Sequence, residues 1–70
     1  MKYEKEIKRI FSDFHENWMS EQERAEFDAT MMSKYGETIS KALQDGVNKG
    51  YPLEYQMAIV HRVLKKELGK

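Results

Sequence analysis

Leu53, Met57, Val60, Leu64 and Leu68 recur at spacings of four, three, four and four. This rhythm lines one face of an α-helix, whereas a half-buried strand would alternate with a period of two. Ile59 and Val63 widen the face. Pro52, just ahead of it, suits a first helical position, where its missing N–H would have no intrahelical partner anyway. Lys65 and Lys66 sit near the far end, where the helix dipole favours cations. A helix is therefore expected over 52–68. The start of the chain keeps the same rhythm through Tyr3, Ile7, Ile10, Phe11, Phe14 and Trp18, with Lys5, Lys8, Arg9, Asp13 and Glu16 on the other face. A helix over 3–18 follows from it.

The middle of the chain opens on Ser20-Glu21-Gln22-Glu23, the spacing of a capping box. Glu21, Glu23, Glu26 and Asp28 crowd the first turns, where the dipole favours negative charge. Ala25, Ala29 and Met32 then share one face, and Phe27, Met31 and Tyr35 form an adjoining strip. Gly36 either ends this helix or sits inside a longer one at a cost of about 1 kcal/mol. Beyond it Ile39, Ala42, Leu43 and Val47 resume helical spacing in nearly the same phase. A break near Gly36 is favoured. The expected fold is all-α: one domain over 1–70, a small bundle of three or four helices at 21–35 and 37–48 (separate or continuous) between 3–18 and 52–68.

A 70-residue chain builds only a marginal core, and domains of this size often lean on a staple or a partner. Cysteine is absent, so neither a disulfide nor a thiolate metal site can serve. Lysine plus arginine balance aspartate plus glutamate at 12 each, which speaks against a nonspecific coat for nucleic acid or acidic lipid. Segment 20–36 is net acidic and segment 51–70 net basic. The apolar runs are too short to span a membrane. MKYEKEIKRI lacks the apolar stretch of a signal peptide, so a cytoplasmic, soluble protein is expected.

Chemistry finds little support. His15-Glu16 opens like the zinc-protease motif, but Met19 stands where the second histidine is needed. His61 has no acid three or four residues away, so neither histidine has the spacing of a metal ligand. Ser12, Ser20, Ser33 and Ser40 lie in no nucleophile elbow, and the glycines form no phosphate loop. No catalytic residue, cofactor or metal is expected, and hence no enzyme.

Two binding functions remain. Ala42-x-x-x-Gly46-Val47 has the spacing of a helix-turn-helix, in which the glycine makes the turn. The following helix, however, begins Leu53-Glu54-Tyr55-Gln56 and offers no Arg or Lys until Arg62, whereas phosphate contacts need basic residues near the groove. DNA regulation is therefore the alternative. The principal expectation is a protein-binding adaptor, inhibitor or regulator. Phe27, Met31 and Tyr35 lie about 100° or more around the helix from the Ala25–Ala29–Met32 face, and a three-helix monomer would struggle to bury both strips. Met, Trp and Tyr are common interface anchors. The expected partner surface is thus Trp18, Met19, Phe27, Met31 and Tyr35, with a homodimer expected as well.

Overall fold

A computed structural model describes residues 1–69. The protein is all-helical, with α1 at Glu4–Ser12, α2 at Glu21–Asn48 and α3 at Leu53–Glu67. At 1.5 Å per residue α2 is about 42 Å long, which matches the 39 Å long dimension of the molecule. The two shorter helices pack along it and against each other. Ile7, Ile10, Phe11 and Phe14 meet Met31, Ile39, Leu43, Met57 and Leu64 in one buried cluster, and among the described residues no polar side chain is buried with them.

α1 is shorter than its apolar rhythm implies. It ends at Ser12, where the N–H groups of Asp13, Phe14 and His15 each reach back only three residues, to the carbonyls of Ile10, Phe11 and Ser12. Those tighter bonds close the helix. Phe14 still turns into the core, so the rhythm is real in burial up to that point. Trp18 falls outside it, 70% exposed on the connection to α2. Lys2 and Tyr3 are tied to α2: Ser40 Oγ donates to the Lys2 carbonyl at 2.8 Å, and the Tyr3 hydroxyl donates to Gln44 Oε1 at 3.4 Å.

The capping box at Ser20 is formed. Glu23 N–H donates to Ser20 Oγ at 3.2 Å, and Ser20 N–H donates to Glu23 Oε1 at 2.8 Å. The Ser20 backbone N–H, aided by its side chain, holds the Glu23 carboxyl below the ordinary glutamate value. A carboxyl lowered on folding adds stability above its unfolded pKa and loses it as pH falls through the folded one. Ser20→Ala is expected to cost about 1 kcal/mol, read from the midpoint of chemical denaturation. The loss should shrink on the acid side, where Glu23 is protonated in both proteins.

Gly36 does not break the chain. α2 runs through it, and the glycine is buried. A Cβ there would stand 2.7 Å from Met32 Sδ and 3.1 Å from Met1 Cε, so the missing side chain leaves room for two methionines. Gly46 is also helical and buried, and a Cβ would overlap the Gln56 side chain, 2.6 Å from its Cγ. The Ala42–Gly46 spacing therefore marks a close approach of α3 to α2, and the turn comes later, at Gly50 with φ 91°. Gly46→Val is expected to destabilise by about 1–3 kcal/mol through overpacking. Gly36→Ala should be nearly neutral, because the flexible Met32 tip can swing aside while helix propensity improves. Paired thermal melts of the two variants check this contrast.

Pro52 precedes the first turn of α3 rather than joining it. Its ψ of 142° is extended, and its carbonyl accepts the Gln56 N–H at 3.2 Å. At the surface, Arg9 Nη2 donates to both Glu54 carboxylate oxygens at 2.8 and 2.7 Å, joining α1 to α3. Both side chains are well exposed, so the pair adds little stability.

Candidate functional site: an apolar groove between α2 and α3

The two strips of α2 meet different surroundings. The Ala25–Ala29–Met32 strip lines a shallow cleft with Glu4 and Lys8 of α1. The adjoining strip serves the rest of the protein: Met31 is in the core at 5% exposure, and Phe27 and Tyr35 are half-buried against it. Phe27 also receives the His15 ring edge-on, with centroids 5.6 Å apart. The Phe27–Met31–Tyr35 strip is thus taken up inside one chain, while Ala25 and Ala29 stay exposed.

The five residues expected to form one partner surface therefore separate. Met31 is core and cannot reach a partner from this fold. Phe27 supports His15. Trp18 and Met19 lie on the 13–20 connection; Trp18 is exposed, while Met19 is half-buried with its Sδ accepting the Glu16 N–H at 3.4 Å. Only Tyr35 lines an apolar opening.

That opening is a groove of about 330 Å³. Tyr35, Thr38, Ile39 and Ala42 of α2 form one side, and Ile59, Val60, Val63, Leu64 and Glu67 of α3 the other; no α1 residue lines it. Ile39 and Leu64 are buried and make its floor. Ile59 and Val63 are 37% and 60% exposed and form its outer lip. Tyr55, Ile59 and Val63 follow at intervals of four, so they make one exposed row along α3. Tyr51 stacks on Tyr55 at 5.9 Å and extends the row beyond the helix start.

The groove exists because the apolar arc of α3 is wider than the surface α2 can cover. Leu64 and Val63 are adjacent in sequence and so point about 100° apart on the helix. Leu64 goes to the core and Val63 stays at the water edge. In the sequence Ile59 and Val63 simply widen the apolar face of the last helix. The angular excess argued for α2 exists on α3 as well, and there it falls on these two residues.

The histidines have local partners. His15 Nε2 lies 2.8 Å from Asp28 Oδ1. His61 packs on the Phe14 ring at 4.9 Å, with its Nε2 3.7 Å from Asp13. Among the described residues no three His, Asp or Glu side chains are grouped to hold a metal ion. None of the helices described is long and apolar enough to cross a membrane. Comparisons with protein-family models, with curated proteins and with solved structures found no match.

Proposed function

We propose that this chain is a small, non-enzymatic protein-binding protein that docks a helical segment of another protein in the α2–α3 groove. Its action would be that of an adaptor, inhibitor or regulator, by bridging to the bound segment or by occluding it. The observation that carries this reading is the lip of the groove. Val63 is 60% exposed and Ile59 37% exposed beside an apolar floor, so the described chain leaves both only partly covered. Fully burying an exposed side chain of this kind is worth about 1.5–3 kcal/mol, and the part that belongs to the surface still exposed is left unrealised in the isolated fold. Ile59 to Glu67 spans about 12 Å at the helical rise, the length over which a docked helix presents anchors at i, i+3 or i+4, and i+7.

The test is affinity capture from the host with three immobilised proteins. The native chain and Trp18→Ala are expected to capture the same partner, and Ile59→Gln/Val63→Gln to lose it. Retention by the glutamine variant together with loss by Trp18→Ala would move the site to the 13–20 connection.

A further inference from the structure

We infer that the occupant of the α2–α3 groove is an acidic amphipathic helix of another protein; this rests on the groove being the docking site. The support is the charge around the lip. On α3, Arg62 follows Ile59 by three residues and Lys66 follows Val63 by three, a spacing that makes them helix-surface neighbours of the exposed row although neither lines the groove itself. On α2, Lys34 holds its ammonium 5.3 Å from the centre of the Tyr35 ring, at one end of the groove. Among the described residues none of these three cations has an ion-pair partner.

The other α2 rim charges are already matched. Lys41 pairs with Glu37 at 3.4 Å, and Asp45 pairs with Lys49 at 3.0 Å, each within the helix. Glu67 is the one acid lining the groove. The unmatched balance at the lip is therefore positive. A second copy is disfavoured by the same charges, because a two-fold contact sets one surface against itself and would bring two basic lips together. A helix with leucine-like anchors flanked by Glu or Asp matches both the floor and the rim. Rim charges of this kind act mainly through attraction during encounter, so binding should weaken as salt rises.

The probe is a display library of 20-residue helical peptides, selected on the intact chain, with apolar anchors fixed at i, i+3, i+4 and i+7 and the flanking positions randomised among Glu, Gln and Lys. Glu-flanked peptides are expected to dominate. They should lose at least about tenfold in affinity, roughly 1.4 kcal/mol, on Ile59→Gln/Val63→Gln. On Arg62→Glu/Lys66→Glu they should lose a similar factor, while Lys-flanked peptides gain. Gln- or Lys-flanked winners that still depend on Ile59 and Val63 would overturn the acidic occupant and leave the groove standing. Winners indifferent to Ile59 and Val63, or no enrichment over bare support, would overturn both. Sedimentation as a dimer that Ile59→Gln/Val63→Gln dissolves would make a second copy the occupant. Lip-dependent binding to phosphatidylglycerol vesicles, without peptide enrichment, would make it a lipid surface. Either result overturns the inference.

Discussion

Phe11→Ala is expected to lower the midpoint of a far-UV circular dichroism melt by at least about 12 °C, from a loss of about 3–5 kcal/mol. Phe11 is fully buried where all three helices converge. Truncating such a ring costs about 3–5 kcal/mol, the lost transfer energy plus the cavity left behind. A domain of 70 residues holds only roughly 4–10 kcal/mol in all, at 0.05–0.15 kcal/mol per residue. One aromatic is then a large share of the stability. Trp18→Ala is the matched control: it removes a larger ring from an exposed position and should shift stability by no more than about 0.5 kcal/mol. Equal losses from the two variants would mean that Trp18 is packed and that the 13–20 connection is wrongly placed.

Ile59→Gln/Val63→Gln should do the reverse, leaving the fold intact and removing its binding. Glutamine is a better helix former than either β-branched residue it replaces, and both positions face water in the free protein. The thermal midpoint should therefore hold or rise slightly. Partner affinity should fall by about 30-fold or more, the effect of losing roughly 2 kcal/mol of apolar burial at the centre of an interface. Titration calorimetry against the captured partner measures the loss, and a melt of the same sample measures the fold. A variant that melts early would show that Ile59 and Val63 are structural. One that melts normally and binds normally would place the partner elsewhere.

Much of this fold is written in local chemistry. The rhythm of Leu53, Met57 and Leu64 places α3 to within a residue at each end, and the Ser20–Glu23 box marks the start of α2. Both signals depend only on neighbours a turn away, which a sequence displays directly. The misjudged features depend on distant contacts. Gly36 looks like a helix end, yet it is kept helical while Met1 and Met32 crowd the place where its side chain would be. Gly46 looks like a turn, yet its role is set by Gln56 across the bundle. Trp18 continues the spacing of α1 by coincidence, after three short backward hydrogen bonds have already closed the helix.

The candidate site was legible only in part, for the same reason. Helical spacing points to Tyr35 but also to Met31, which the fold buries, and to Trp18, which lies on the connection before α2. The sequence does not say which of the two strips on α2 meets the core, and the fold takes the Phe27–Met31–Tyr35 strip. The surplus belongs instead to α3. Its apolar arc extends past the edge of α2, and Ile59 and Val63 are left as the lip.

Amide chemical-shift mapping of the labelled chain, with unlabelled partner added to saturation, tests the groove most directly. The expected perturbations cluster at Tyr35–Ala42 and Ile59–Glu67, on both walls at once, and vanish in Ile59→Gln/Val63→Gln. Perturbations confined to residues 13–20 around Trp18, with both walls unmoved, would contradict docking in the groove.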